Sequence, residues 1–359
     1  MLYFLSRLSE SVPPLNLFRY ITFRAALAAF TAFVICLVLG PAVIALLKRS
    51  MLRERAREDA PERHKAKAGT PSMGGLFLIG STTVSCALWL RPDRPYAWIG
   101  VFALLWFGAV GFLDDYLKII KKVKGGLPGR WKLAGQALGA LVIYALAGEL
   151  TQGQVFETAT NMPLIKVPLD LGWLYVPFVV LVLIGASNAV NLTDGLDGLA
   201  IGCASVTTLG LGILAYVVGN AKFADYLWVM PVPDAGELAV LCAALLGAGL
   251  GFLWFNAHPA EVFLGDTGSL ALGGTLGATA FLIRQELLLP LLGGVFVVEA
   301  LSVMIQVASF KLRGKRVFKM APIHHHFELM GWMESKVIIR FWIASLIFAL
   351  LSLSTLKLR

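Results

Sequence analysis

Charge is scarce in this chain. Asp, Glu, Lys and Arg together make up 15% of its 359 residues, against about a quarter in a soluble domain. That leaves too little polar surface to cover a body of this size in water. Cysteine is scarcer still. Cys36, Cys86, Cys203 and Cys242 all fall in apolar stretches, with neither a disulfide framework nor zinc spacing, so they read as small buried hydrophobes. There is no Walker A loop, no dinucleotide-binding glycine fingerprint and no nucleophile-elbow serine, which leaves ATP-driven transport without support. A cleavable leader is not expected either, because the first apolar run is too long for one and the stretch before it is irregular and polar, in the manner of an interfacial segment.

What the chain has instead is apolar length. Hydrophobic residues are 58% of the sequence, and they fall in long runs such as Phe30 to Leu47, Met73 to Leu90 and Ala97 to Leu113. About twenty such residues carry a helix across the hydrocarbon layer, where every backbone amide needs an internal partner. A β-barrel would show short alternating segments instead. The expectation is an all-α integral membrane protein, one polytopic domain over 1–359, with ten transmembrane helices near 22–47, 72–91, 97–117, 132–148, 173–190, 197–218, 237–256, 266–284, 287–311 and 336–356. A short hairpin is expected near 152–171, on the outer side.

The net charge of +9 is unevenly spread. One basic cluster runs from Lys48 to Lys67, a second from Lys118 to Lys132, and a third from Lys311 to Lys319. They follow helices one, three and nine, so they share a side, and the positive-inside rule makes it cytoplasmic. Both termini are then periplasmic, although Arg7, Arg19, Lys357 and Arg359 put some positive charge there. By the same parity the loops 48–71, 118–131, 188–198, 256–268 and 312–335 converge on the cytoplasmic face. They carry most of the polar chemistry in the chain.

Asp114 and Asp115 end an apolar helix ahead of a basic stretch, where negative charge opposes the helix dipole. Either Lys118 and Lys122 neutralise an interfacial pair, or the carboxylates serve Mg²⁺, which takes hard oxygen ligands together with substrate phosphate. Asn188, Asn191, Asp194 and Asp197 crowd eleven residues between two helices; capping of the sixth helix accounts for one carboxylate but not for the whole set. Asn256, His258 and Asp266 recur in the same form, with Asp266 also a credible N-cap. The Asp266-Thr267-Gly268 triplet is that of aspartic proteases, yet here it opens a glycine-rich apolar helix and has no second copy. His324, His325 and His326 invite a zinc reading, but consecutive residues rarely point at one tetrahedral ion. A phosphate- or nucleotide-contacting loop backed by Lys315, Arg316 and Lys319 fits better. Glu299 and Gln306 are polar groups inside the ninth helix, either functional or joined in interhelical hydrogen bonds.

Five segments in order resemble the polyprenyl-phosphate N-acetylhexosamine-1-phosphate transferase superfamily, and within it the branch that handles phospho-MurNAc-pentapeptide. They are Thr70 to Gly75, Phe112 to Tyr116, Asn191 to Gly198, Phe263 to Ser269 and Pro322 to Glu328. Ala68 stands where many members carry a basic residue, and Ser72 where Thr is common. The resemblance implies an Mg²⁺-dependent transferase of the bacterial cytoplasmic membrane, with its active site facing the cytoplasm. It would move phospho-MurNAc-pentapeptide from UDP-MurNAc-pentapeptide to undecaprenyl phosphate, giving lipid I and UMP for peptidoglycan. A homodimer among membrane lipids is implied, and no nucleic-acid partner. On this footing Asp266 and Asp115 hold the metal, with Asp114, Asp115, Asp266 and His324 as the catalytic set. One of Asp114 and Asp115 is left as base or orienter, if a base is needed at all. Lys67, Thr70, Lys118 and Lys122 would meet phosphates or nearby substrate groups; Asn191, Asp194, Asp197 and Asn256 would form the nucleotide side; Gln306, His325 and His326 would contact the donor. Two alternatives remain: a sister transferase that moves GlcNAc-1-phosphate, and an ion-coupled transporter, which would place its carboxylates at mid-membrane on internal repeats.

Overall fold

A computed structural model describes residues 1–49, 70–123, 125–150, 158–165 and 167–357. Lys67 and most of the first basic cluster lie outside the described residues. Among the described residues ten long helices form the body: α1 (Ile21–Arg49), α2 (Gly75–Trp89), α3 (Pro95–Ile119), α4 (Gly129–Leu150), α5 (Tyr175–Thr193), α6 (Leu199–Val218), α8 (Gly236–Asn256), α9 (Gly265–Leu282), α11 (Gly294–Arg313) and α13 (Glu334–Ser354). Shorter pieces, α7 (Ala221–Leu227), α10 (Leu289–Leu292) and α12 (Ile323–Leu329), fill the connections. Among the described residues eight helices are long and apolar enough to cross a membrane; α2 is shorter, and α9 is rich in glycine. This is a multi-pass membrane protein. A two-stranded antiparallel hairpin, Ala159–Thr160 against Leu169–Asp170, stands where one was expected.

The hydrophobic arrangement is turned outward as well as inward. Phe30 and Val38 on α1, Leu181 on α5, Trp254 on α8, Met304 on α11 and Leu350 on α13 are all exposed, an apolar belt suited to lipid. Inside, α9 is the axis. From Thr267 to Leu282 every residue is buried, against α3, α5 and α2. Hydroxyls within the helices bond back one turn, as Thr82 Oγ1 to Leu78 O (2.9 Å), Thr207 Oγ1 to Cys203 O (3.0 Å) and Thr275 Oγ1 to Ala271 O (2.7 Å) do, so burial leaves them satisfied. The four cysteines are free and buried.

Two differences from the sequence reading have local causes. The ninth helix, expected over 287–311, is broken at Gly293 into α10 and α11. The His324–His326 stretch, expected as loop, coils into α12 behind Pro322, whose fixed φ suits a helix start.

The end of the bundle remote from the polar motifs is pinned by ion pairs. Arg24, 1% exposed, donates to both oxygens of Glu237 at 2.7 and 2.6 Å and to Trp89 O at 3.1 Å, tying α1 to α8 and the end of α2. Nearby, Arg94 Nη1 donates to Asp234 at 2.6 Å. Arg91 pairs with Asp93, holding that exposed carboxyl below its usual range. At the same end Glu286 is buried and accepts from Thr160 Oγ1 (2.5 Å) and Tyr175 OH, which fastens the hairpin; burial pushes its carboxyl upward. Truncating Arg24 would strand the buried Glu237 carboxylate. Arg24→Ala is expected to cost about 3–5 kcal/mol, read as a fall in the melting temperature of detergent-solubilised protein; an unchanged melting curve would show the pair to be dispensable.

Candidate active site

The acidic centre is assembled where α3 ends and α4 and α9 begin. Asp114 and Asp115 lie on the last turns of α3, which runs on to Ile119, and both are buried. Asp115 faces α9. Its Oδ1 accepts from Asp266 N at 3.2 Å, and its Oδ2 from Thr267 N and Oγ1 at 2.8 and 2.7 Å. The first amides of a helix lack intrahelical partners and carry the positive end of its dipole. A carboxylate poorly placed at the end of its own helix is thus well placed at the start of another.

That cap sets Asp266 on the first turn of α9. Its Oδ1 accepts from Asn191 Nδ2 at 2.6 Å; its Oδ2 accepts from Lys118 Nζ at 2.6 Å and Lys132 Nζ at 3.1 Å. The same two ammonium groups each reach Asp114 Oδ2 at 3.0 Å, while Leu127 N donates to Asp114 Oδ1 at 2.8 Å. Asn191, on the last turn of α5, also donates to Ser269 Oγ at 2.8 Å. Two carboxylates at close quarters are therefore held by two shared cations, with amide donors fixing the far oxygen of each.

The α3–α9 approach depends on Gly111. A Cβ there would lie 2.1 Å from the carbonyl oxygen of Asp266, a backbone atom that cannot step aside alone. Gly111→Ala should displace the Asp266 turn and lower kcat roughly 10²-fold, measured as product formation by protein matched for quantity and monodispersity. Gly80→Ala on α2, where a Cβ meets nothing within 4 Å, should be neutral. Equal activity in the two variants would remove the claim.

A second cluster lies in the neighbouring loops. Asp197 Oδ2 accepts from Ala260 N at 3.1 Å and faces His258 Nδ1 at 3.1 Å; Glu334 Oε1 accepts from Asp197 N at 3.2 Å. Asn256 Oδ1 accepts from Gly198 N (3.0 Å) and its Nδ2 donates to Val262 O (2.8 Å), binding the α5–α6 turn to the loop after α8. The Thr70–Gly75 segment joins that loop through its backbone: Phe263 N donates to Pro71 O (2.8 Å) and Gly74 N to Phe263 O (2.9 Å), with Thr70 Oγ1 reaching Ala260 O at 3.4 Å. Asp194 is half-buried at the C-cap of α5.

The histidine stretch forms the third part. His324 is fully buried, its Nδ1 3.1 Å from Glu299 Oε2. His325 Nδ1 lies 2.8 Å from Glu328 Oε2, and His326 Nδ1 accepts from Lys319 N at 3.1 Å. Gln306 accepts from Val317 N and Phe318 N at 3.0 and 2.9 Å and donates to Phe318 O at 3.1 Å, so it fastens the loop after α11. Lys122 is exposed at a left-handed turn (φ 54°).

Comparison with known proteins bears on this arrangement directly. The sequence model described as Glycosyl transferase family 4 matches residues 97–284, the stretch holding α3 through α9. A phospho-N-acetylmuramoyl-pentapeptide-transferase of Koribacter versatilis is 49% identical over 375 aligned residues, covering 100% of this chain and 99% of that protein. Another, from Thermodesulfovibrio yellowstonii, is 50% identical over 362, covering 100% of each. The chain belongs to the phospho-N-acetylmuramoyl-pentapeptide-transferase family.

Among the described residues, two sets of side chains in this transferase offer atoms that could hold a metal. Asp197, His258 and Glu334 offer ligand atoms within 4.8 Å of one another, but the set mixes imidazole nitrogen with oxygen. Mg²⁺ favours oxygen throughout. Asp266 and Asp114 present hard oxygens that already share cations at 2.6–3.1 Å, so this pair fits the ion better. Asp115, expected as the second ligand, has both its oxygens hydrogen-bonded to the opening turn of α9.

Lys132, absent from the expected site, is the more buried of the two bridging cations, 14% exposed in its side chain against 38% for Lys118. In the sequence it counted only toward the positive-inside charge. Its place one turn into a helix, ahead of Gln136, was the available signal, since a lysine so placed points along the same face as the polar residue that follows four later. Asn188 goes the other way: its Nδ2 donates to Gln136 Oε1 at 2.8 Å, joining α5 to α4 rather than lining the site.

Proposed function

We propose that this transferase moves phospho-MurNAc-pentapeptide from UDP-MurNAc-pentapeptide to undecaprenyl phosphate, with Mg²⁺, at the cytoplasmic face of the bacterial inner membrane. The observation that carries the reading is the Asp114–Lys118–Lys132–Asp266 cluster at one end of an apolar bundle. Ten crossings, periplasmic termini and a homodimer belong to the same proposal. Its orientation rests on the basic Lys118–Lys132 stretch lying at the acidic centre.

In the reaction an oxygen of the lipid phosphate attacks the sugar-linked phosphorus of the donor pyrophosphate. The new P–O bond gives lipid I, and the bond to the nucleotide's phosphate breaks to release UMP. The lipid phosphate is already largely ionised near neutral pH, so no residue has to take a proton from it. When bound, Mg²⁺ would be held by Asp266 with Asp114, and would neutralise pyrophosphate charge. Lys118 and Lys132 lie within reach of the same phosphates and stabilise charge that grows on the departing UMP. Asn191 keeps Asp266 turned toward them. Asp115 holds the start of α9 in place, and the Asn191–Gly198 turn with Asn256 supports the nucleotide.

Purified protein incubated with UDP-MurNAc-pentapeptide, polyprenyl phosphate and magnesium should release UMP and form lipid product, and chelation of magnesium should stop both. A preference for UDP-GlcNAc in the same assay would establish the sister activity instead. Exchange of labelled UMP into donor without any lipid acceptor would replace direct attack by a covalent aspartyl-phosphate.

A further inference from the structure

Glu299 and His324 are both fully buried, and no substrate-facing role explains them as they stand. Glu299 lies in the second turn of α11; His324 opens α12, beyond a loop of nine residues that follows α11. His324 Nδ1 lies 3.1 Å from Glu299 Oε2. Among the described residues, His324 Nε2 and Glu299 Oε1 are buried without any hydrogen-bond partner. That one hydrogen bond between Nδ1 and the Glu299 carboxyl fixes the orientation of the ring. That orientation turns Nε2 onto the α5–α6 turn: a Cβ at Gly195 would lie 2.3 Å from Nε2 and 2.9 Å from the adjoining ring carbon. The imidazole is wedged between a carboxylate on one side and the backbone of the turn on the other.

We propose that Glu299 is a positioning residue that, by fixing the His324 ring, seats the Asn191–Gly198 turn and so sets affinity for the nucleotide of the donor without touching it. The proposal rests on reading that turn as the nucleotide side of the site. Its chemistry is that of an acceptor on Nδ1–H, not of a charge, so a neutral amide of the same shape suffices. Gly195 is the third member of the device, because only a residue without a side chain admits the ring.

The test compares variants of nearly equal volume in the full chain in detergent. Glu299→Leu removes the acceptor in an apolar helix that tolerates leucine; Glu299→Gln keeps it. The loss of one such buried hydrogen bond corresponds to roughly tenfold in affinity. UDP affinity by calorimetry should therefore weaken about tenfold in Glu299→Leu and in Gly195→Ala, and stay within about twofold of the unaltered protein in Glu299→Gln. In turnover, KM for the UDP-linked donor should rise with it while KM for polyprenyl phosphate stays put. Glu299→Leu combined with His324→Ala should be no worse than His324→Ala alone. The proposal falls if UDP affinity is unmoved in Glu299→Leu, if both KM values rise together, or if Gln harms as much as Leu. Calorimetry reads the turn without turnover, so an unaltered protein that binds UDP yet transfers nothing would count against the function alone, leaving the positioning to be decided by the UDP shifts.

Discussion

Asp266→Asn will abolish transfer, lowering kcat by at least ~10³-fold, while the folded protein accumulates as before. The change is nearly isosteric, and the cap that Asp115 places on α9 does not involve the side chain of residue 266. Asp115 caps the helix through the backbone amide of 266 and through Thr267. Asn191 can still donate to the remaining carbonyl oxygen. What disappears is the anionic oxygen that Lys118 and Lys132 share with Asp114. A cation bound there loses a charged ligand, and the two ammonium groups lose the partner that aims them. UMP release at saturating donor and acceptor, with size-exclusion elution and melting temperature as controls, gives the answer. Activity within about tenfold of the unaltered protein would mean that the chemistry does not run through this carboxylate.

Apolar runs made most of the fold legible. α3 was expected over 97–117 and occupies Pro95–Ile119; α8 was expected over 237–256 and occupies Gly236–Asn256. Lipid-facing helices announce themselves because almost every residue must be apolar, whatever the neighbouring helices do. The break at Gly293 escaped notice because both sides of it are equally apolar, so no change of composition marks it. For the site, the one-dimensional pattern identified which residues gather but not which atoms they offer. Asp115 and Asp114 are neighbours of the same type; their different duties follow from the helix rotation of 100° per residue, which points one at α9 and the other at the lysines. Gln306 read as either functional or joined in an interhelical hydrogen bond, and its partners at Val317 and Phe318 come only with the folded loop. The Glu299–His324 pair spans twenty-five residues and a helix end, a separation that no periodicity encodes.

Lysine is the other half of the acidic centre, and here the structure ranks what the sequence could only count. Lys118, Lys122 and Lys132 are alike as members of one basic stretch. In place, Lys132 and Lys118 each bridge Asp114 and Asp266, whereas Lys122 is exposed on a turn. Water and salt screen an exposed charge, while one surrounded by protein acts on its neighbours nearly undiluted. Lys132, the less exposed of the two bridging cations, should therefore matter most. Lys132→Met keeps the apolar stem and removes the charge, and is expected to lower kcat about 10²-fold. Lys118→Met should cost less than that, and Lys122→Met should stay within about twofold. Arginine will not restore the position, because its longer stem and planar fork cannot set a single nitrogen between the two carboxylate oxygens as Nζ is set at 3.0 and 3.1 Å. If Lys132→Met and Lys122→Met prove equally active, the shared ammonium is a structural neutraliser of buried charge and the transferred phosphate is stabilised from somewhere else.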